Sequence, residues 1–176
     1  MLDRVAEALL AATGRPPILI ANAPEASAWL PGLAVYPDAV PGQGSVGGIL
    51  TAVEAAGAVL CVAWDMPFVA TGLLVELAAL LAEAEADAAL PESDSRRGLE
   101  PLCAAYGPAC GPAIRAALAR NDRRAVAFHE AVTVARLARG RVLQYGDPGV
   151  LFFNVNTPDD LVRAEAIWRA RGSSPS

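Results

Sequence analysis

Apolar and polar positions alternate along the chain in a pattern that predicts strands and helices in turn. Short apolar runs bounded by turn residues predict buried strands, and apolar residues three or four positions apart predict helices. The predicted strands span residues 17–22, 33–36, 58–64, 87–91, 101–106 and 151–156. The predicted helices span residues 1–13, 71–86 and 112–120, with two more running on from Ile49 and Thr157, while residues 121–145 fit one short helix with one or two strands. Thr157, Pro158 and Asp160 predict a capping box at the start of the last helix. This alternation predicts an α/β fold with a mainly parallel sheet.

Charge and cysteine content narrow the class of protein. The chain of 176 residues carries a net charge of −5 and no block of lysine or arginine, which argues against a nucleic-acid binder. Its three cysteines have no pairing framework and favour a reducing cytoplasm. No apolar run is long enough to cross a membrane. We expect one cytoplasmic domain over residues 1–171 and a disordered tail over residues 172–176.

Small polar or acidic residues end four of the predicted strands. They are Asn22, Asp38, Asp65 and the pair Asn154 and Asn156. Each one alone is explained by an ordinary turn or cap role. In an open α/β sheet, however, ligands bind beyond the carboxyl ends of the strands, so four such ends at one edge predict a binding site.

Asp65 and a glycine-rich segment carry the sharpest chemical signals. Asp65 directly follows the most apolar predicted strand and precedes Met66-Pro67. A carboxylate there suits Mg²⁺ bound together with phosphate oxygens, and the alternative is a turn or N-cap aspartate. The four glycines between Pro41 and Gly48 predict a loop that a ligand can approach closely, although the dinucleotide and P-loop patterns are not matched. By position alone, Arg96 and Glu100 could line the same cleft.

Three segments of the chain, in order, carry a resemblance to one known family. They are Asp38 with Gln43–Ile49, then Trp64–Phe68, and most specifically Phe153–Leu161, which reads Phe-Asn-Val-Asn-Thr-Pro-Asp-Asp-Leu. The chain resembles molybdenum cofactor guanylyltransferase over nearly its whole length. That family shares the fold of nucleotide-sugar transferases, which implies a three-layer, doubly wound α/β sheet. Cytidylyl relatives tend towards aspartates at the positions of Asn154 and Asn156, so the asparagines favour guanine.

The resemblance implies Mg²⁺-dependent transfer of GMP from GTP to the phosphate of the molybdopterin cofactor, with release of pyrophosphate. It implies that Asp65 is catalytic and holds Mg²⁺, and that Asn154 and Asn156 face the metal or the cofactor phosphate. The implied nucleotide-binding residues are Asn22, Asp38, Gly44, Gly47 and Gly48. GTP and the molybdopterin cofactor are the implied substrates, with transient contact to the proteins that mature molybdoenzymes.

The sequence departs from the family pattern at its start. Family members begin with a strand and a loop of the form Gly-Gly-x-Ser-x-Arg-Met-Gly-x-x-Lys, which grips the phosphates, whereas this sequence opens on the following helix. The family's first strand is central in its sheet, so we expect residues 18–21 to lack one neighbour. Ser45 and Gly47 also stand where proline and alanine are usual, and Glu100 where a histidine is common.

Three functions remain open at this stage. The first is an active guanylyltransferase whose true start lies upstream of Met1. The second is a catalytically inactive homologue that binds a nucleotide or the cofactor, and GTP affinity without pyrophosphate release would identify it. The third is a nucleotidyltransferase with another nucleotide or acceptor, which nucleotide competition would reveal.

Overall fold

Strands and helices alternate along the computed structural model, which describes residues 1–95 and 98–172. The strands are β1 (Ile18–Ile20), β2 (Ala34–Tyr36), β3 (Val59–Val62), β4 (Ala88–Pro91), β5 (Cys103–Tyr106) and β6 (Val134–Leu137). The helices are α1 (Leu2–Thr13), α2 (Ala26–Trp29), α3 (Gly44–Ala56), α4 (Thr71–Glu83), α5 (Cys110–Ala119), α6 (Arg139–Val142), α7 (Pro148–Leu151) and α8 (Pro158–Gly172). Arg96 and, beyond Gly172, the predicted tail lie outside the described residues. Within that part of the chain, no helix has the length and hydropathy needed to cross a membrane.

The strands form one sheet of four and one separate pair. The order in the larger sheet is β3-β5-β4-β6, in which β5 is antiparallel to both β3 and β4, and β6 is parallel to β4. Three strands of this sheet therefore share one direction and β5 alone opposes them. The separate pair joins β1 to β2 in parallel, with Leu19 opposite Val35. The predicted α/β class with a mainly parallel sheet is confirmed.

Side chains of β4 and β5 alternate between two apolar layers, because successive residues of a strand point to opposite faces. On one face, Ala88, Leu90, Ala104 and Tyr106 belong to a core cluster that includes α3 and α5. On the other face, Ala89, Cys103 and Ala105 belong to a cluster that includes α1 and α4. All residues of β4 and β5 are buried. The expected three-layer arrangement, with helices on both faces of the sheet, is therefore confirmed.

An open slot separates β1 from β3. Among the described residues, β1 pairs with β2 alone and β3 pairs with β5 alone, so one edge of each strand has no partner strand. The expectation that residues 18–21 lack one neighbour is confirmed. Every residue of β3 is apolar yet only half-buried, in contrast to the fully buried β4 and β5. A strand that was predicted to be buried thus borders a cavity.

The predicted strand at residues 151–156 is wrong. Asp147 caps a short helix there, its side chain accepting a hydrogen bond from the Gly149 amide at 2.8 Å, and α7 ends at Leu151. The residues that follow α7 have no regular structure. Their apolar side chains are buried by packing against other side chains, and their backbone joins no sheet. Phe153 and Val155 pack with Phe68 and Ala164 in a third core cluster.

The predicted glycine-rich loop is wrong in its second half, which belongs to a helix. Gly44 has φ of +61°, which suits glycine, and α3 starts there. Val46, Ile49, Leu50 and Val53 form the buried stripe of α3, and this stripe extends the helix back into the glycines. Gly44, Gly47 and Gly48 therefore lie on its first turns.

The start of α8 matches its predicted capping box. The Asp160 amide donates to Thr157 Oγ1 at 3.1 Å, and the Thr157 amide donates to Asp160 Oδ2 at 3.0 Å. The Asn156 amide donates to the same carboxylate oxygen at 3.3 Å. The box thus fixes the segment that carries the two predicted asparagines.

We expect amide hydrogen exchange to be slowest in β4 and β5 and clearly faster in β1. The inner strands are buried and paired on both sides, whereas β1 is three residues long and paired with β2 alone among the described residues. Exchange followed by mass spectrometry measures this difference. Equal protection of β1 and β5 would contradict an open slot.

Candidate active site

The ends of β1 and β2 are joined by a reciprocal pair of hydrogen bonds. Asn22 Nδ2 donates to Asp38 Oδ2 at 2.8 Å, and the Asp38 amide donates to Asn22 Oδ1 at 2.9 Å. The Ala21 amide donates to the Tyr36 carbonyl at 3.0 Å, which keeps the two chain segments parallel up to this pair. Asn22 and Asp38, predicted independently at two strand ends, are therefore direct partners.

A buried hydroxyl connects this pair to α3. The Ala39 amide donates to Thr51 Oγ1 at 2.8 Å, and Thr51 Oγ1 donates to the Gly47 carbonyl at 2.9 Å. The Thr51 side chain is 5% exposed. Through these two hydrogen bonds, Thr51 holds the segment that follows Asp38 against α3.

Asp65 lies at the carboxyl end of β3, as predicted. The fully buried Met66 anchors the turn that follows it, and the Val155 amide donates to the Asp65 carbonyl at 3.0 Å. The Asp65 side chain is half-buried and, within the described residues, no salt bridge reaches it. Burial raises the pKa of this carboxyl above its ordinary value, and a backbone hydrogen bond opposes that shift.

Asn154 and Asn156 differ in their surroundings. Asn154 is half-buried, and its Oδ1 is buried without a hydrogen-bond partner among the described residues. It is the immediate neighbour of Val155, which bonds to the Asp65 backbone. Asn156 is exposed and is held by its backbone to the capping box of α8. Of the two asparagines, Asn154 therefore has the unsatisfied oxygen, and among the described residues hydrogen bonding holds it near the Asp65 segment only through the backbone of Val155.

The three predicted glycines also have separate positions. Gly44 and Gly48 line the slot between β1 and β3, and a Cβ at Gly48 would meet no atom within 4 Å. Gly47 faces the other way, and a Cβ there would lie 3.0 Å from Gln43 Cβ and 3.4 Å from the Val40 carbonyl oxygen. Gly47 therefore permits close packing of α3 against the segment after Asp38.

The slot is a cavity of about 670 Å³ walled by α1, β1, α3 and β3. Its wall is apolar along the strands and polar at their carboxyl ends, where Asn22, Asp38 and Asp65 line it together. The structure thus brings three of the four predicted strand ends to one cavity. Gly47, Asn154 and Asn156 are not part of the cavity wall.

The oxygen atoms at this end fit a Mg²⁺ ion. Among the residues that the structure describes, no three His, Cys, Asp or Glu side chains converge, so a cage built entirely from such side chains is absent there. Mg²⁺ is ordinarily held by one or two carboxylates, with phosphate and water oxygens completing its shell. The Asp65 carboxylate at this end is an oxygen of this kind, and the unsatisfied Oδ1 of Asn154, which lies outside the cavity wall, is another.

Three residues near the site were not assigned a role from the sequence. Thr51 is a polar residue on the apolar stripe of α3, which was a usable signal for a buried hydrogen bond. Trp29 and Trp64 line the cavity and approach each other to 6.1 Å between ring centroids. No sequence pattern pairs them, because they lie on separate elements and meet only through the fold.

Comparison with known proteins identifies the family to which this chain belongs. The model of the family described as MobA-like NTP transferase domain matches residues 1–134. The chain is 34% identical over 151 residues to the molybdenum cofactor guanylyltransferase of Mesorhizobium japonicum, which covers 81% of this chain and 70% of that protein.

Solved structures are also similar to this chain. Molybdopterin-guanine dinucleotide biosynthesis protein A from Archaeoglobus fulgidus matches with a TM-score of 0.70 and 31% identity, over 78% of this chain and 69% of that one. The fold alone is shared with 2-C-methyl-D-erythritol 4-phosphate cytidylyltransferase from Thermus thermophilus, with a TM-score of 0.57 and 20% identity over 93% of this chain and 88% of that one. The fold and the family resemblance predicted from the motifs are both confirmed, and the chain belongs to the MobA-like NTP transferase family.

Proposed function

We propose that this protein is a Mg²⁺-dependent guanylyltransferase that transfers GMP from GTP to the phosphate of the molybdopterin cofactor and releases pyrophosphate. The observation that carries the proposal is the unpaired, half-buried carboxylate of Asp65 at the polar end of the slot, beside the Asn22–Asp38 pair. Family membership supports the same reaction. The proposed substrates are GTP and the molybdopterin cofactor, and the proposed partners are the proteins that mature molybdoenzymes.

In the proposed reaction, a phosphate oxygen of the acceptor attacks the α-phosphorus of GTP. A new P–O bond forms, the bond from the α-phosphorus to the bridging oxygen breaks, and pyrophosphate leaves with that electron pair. No atom is oxidised or reduced. Catalysis rests on positioning and charge neutralisation, without a covalent enzyme intermediate. The Asp65 carboxylate and Asn154 Oδ1 would hold Mg²⁺, which when bound supplies positive charge against the phosphates.

The nucleotide lies, in this proposal, along Asn22, Asp38 and the start of α3. That helix has 13 residues, and no side chain caps its N-terminus. The first amides of a helix lack intrahelical acceptors and favour anionic or carbonyl oxygens. Gly44 and Gly48 leave the helix backbone open on the side that lines the slot. The amide–carboxylate pair then faces the polar groups of the base or ribose.

We further propose that the protein acts in the cytoplasm. Cys61, Cys103 and Cys110 are all free. Free cysteines persist in a reducing compartment, and GTP is consumed there. A disulfide among these cysteines in the natural protein would contradict this location.

A catalytically inactive homologue that binds GTP or the cofactor is the second candidate. The family's phosphate-gripping loop follows a strand that would sit between β1 and β3, where the described residues leave both edges without a partner strand. A homologue that kept the groups for the base and the metal but lacked a working loop of this kind would hold the triphosphate weakly. This candidate binds GTP and releases no pyrophosphate.

Pyrophosphate release from GTP tests the proposed function. We expect release that depends on Mg²⁺ and on the molybdopterin cofactor, and that CTP competes poorly. The comparison is a version that carries the family's loop sequence before Met1, in which we expect faster release. GTP binding without release by both versions would support the inactive homologue, and efficient competition by CTP would indicate another nucleotide.

Replacing Asp65 tests the metal-binding role. In the active form, Asp65→Asn should lower turnover by roughly 10²–10³-fold, because it removes the carboxylate but keeps the shape. The melting temperature at neutral pH should not fall, since the substitution removes an unpaired, half-buried charge. The matched control is Asp3→Asn, an exposed aspartate on α1 whose replacement should leave turnover unchanged. Retained turnover in Asp65→Asn would remove this residue from the metal site.

Stability as a function of pH tests the raised pKa of Asp65. Folding raises this pKa, so the free energy of unfolding should decrease as the pH rises from the unfolded value through the folded pKa. Chemical denaturation at several pH values should therefore show Asp65→Asn gaining stability relative to the native chain as the pH rises.

Asp94 provides a control of opposite sign. The Arg139 guanidinium lowers the pKa of Asp94, so the stability that this pair contributes is present above the unfolded pKa and is lost on acidification. Asp94→Asn should lose stability relative to the native chain as the pH rises. Parallel profiles for the two variants would contradict the opposite environments of the two carboxylates.

A further inference from the structure

Asp65 and Asn154 are carried by two segments that are far apart in the sequence and meet in the fold. The Val155 amide donates to the Asp65 carbonyl at 3.0 Å, which joins the two backbones. One hydrogen bond tolerates a broad range of angles, so it fixes a distance between the segments better than their relative orientation. A second contact is needed to fix the Asn154 side chain relative to the Asp65 carboxylate.

The Phe68 side chain supplies this second contact. It is 4% exposed and packs in one cluster with Val155 and Ala164, against which Phe153 also packs. The ring centroids of Phe68 and Phe153 are 6.5 Å apart and the ring planes are inclined by 46°, which is a favourable aromatic arrangement. Phe153 and Val155 are the two chain neighbours of Asn154. Phe68 therefore packs against the residues on both sides of this asparagine.

The start of α8 holds the same cluster from another side. Ala164 on this helix is buried, and the Arg163 guanidinium lies 5.1 Å from the Phe153 ring centroid. The capping box fixes the backbone that directly follows Val155. The short segment that carries Asn154 is thus fixed by packing and by backbone hydrogen bonds.

The side chain held in this way has an unsatisfied atom. Asn154 Oδ1 is buried without a hydrogen-bond partner among the described residues. Such an acceptor is unfavourable unless a ligand completes it, which points to a ligand that the chain itself does not supply. Mg²⁺ demands near-ideal octahedral geometry, with its oxygen ligands at about 2.1 Å. A small displacement of this oxygen relative to Asp65 would therefore weaken metal binding.

We propose that Phe68 is a positioning residue, which holds Asn154 Oδ1 and the Asp65 carboxylate in the arrangement that binds one divalent cation. The inference rests on the proposed function, because that proposal makes these two oxygens metal ligands. Phe68 acts through Asn154 and contacts neither the metal nor the substrates. Its role is separate from the attraction that the Asp65 charge exerts on the cation.

An ordinary core role for Phe68 is the alternative, and Phe128 provides a matched control. Phe128 is fully buried in the core cluster that includes α3 and α5, with its ring centroid 5.8 Å from that of Tyr106. Replacing either phenylalanine by leucine removes buried volume, so Phe68→Leu and Phe128→Leu should both lower the free energy of unfolding. Of the two variants, only Phe68→Leu should also weaken metal binding.

Binding of Mn²⁺ alone, followed by electron paramagnetic resonance, separates the two roles, because Mn²⁺ takes the same oxygen ligands as Mg²⁺. Phe68→Leu should weaken Mn²⁺ binding by about tenfold, as expected for the loss of a residue that orients a metal ligand. Phe128→Leu should leave the affinity unchanged. Asn154→Ala should weaken binding to a similar extent as Phe68→Leu, and adding Phe68→Leu to it should weaken binding no further. Circular dichroism would verify that each variant is folded.

The outcomes distinguish the positioning role from the proposed function. Unchanged Mn²⁺ affinity in folded Phe68→Leu, an equal loss in Phe128→Leu, a further loss in the double variant, or no Mn²⁺ binding by the unsubstituted protein would overturn the positioning role. Pyrophosphate release is measured separately, so release that Phe68→Leu leaves unchanged would keep the guanylyltransferase proposal alone. Mn²⁺ affinity that depends on Phe68 in a protein without pyrophosphate release would support the positioning role and the inactive homologue.

Discussion

Burial of the β4–β5 pair between two helical layers is the constraint on which the other elements depend. Alanines lie on both faces of this pair: Ala88 and Ala104 point towards α3 and α5, while Ala89 and Ala105 point towards α1 and α4. Helices can approach a sheet closely only where such residues leave room, and close packing of this kind is sensitive to added volume. Because β5 also pairs with β3, the position of Asp65 at the end of β3 is set by the most deeply buried part of the molecule.

The site is assembled on this support by a few hydrogen bonds between segments distant in sequence. The Asn22–Asp38 pair joins β1 to β2, Thr51 joins the segment after Asp38 to α3, and the Val155 amide joins the end of the chain to Asp65. The polar end of the slot is therefore a connected structure, while its walls remain apolar and open between β1 and β3.

Electrostatics agree with a site that receives a cation together with a phosphorylated ligand. The chain has a net charge of −5, and Asp65 is half-buried without a salt bridge among the described residues. Burial raises the pKa of a carboxyl group that has no cationic partner, and a bound metal ion would lower that pKa again. Ion pairs at the surface, such as Arg139–Asp94, are exposed to solvent and contribute little to the stability of the protein.

The sequence by itself determined the α/β class, the capping box of α8, the family and the strand ends that carry Asn22, Asp38 and Asp65. These features follow from local periodicity, local hydrogen bonding and short motifs, which need no knowledge of distant contacts. The tertiary structure alone decided that residues 151–156 form no strand, because Phe153 and Val155 are buried against Phe68 and Ala164 instead of joining a ladder. It also decided that Trp29 and Trp64 meet, and that β3 borders a cavity despite an entirely apolar sequence. An apolar run indicates a tendency to be buried, but the neighbouring elements that bury it are determined by packing across the whole chain.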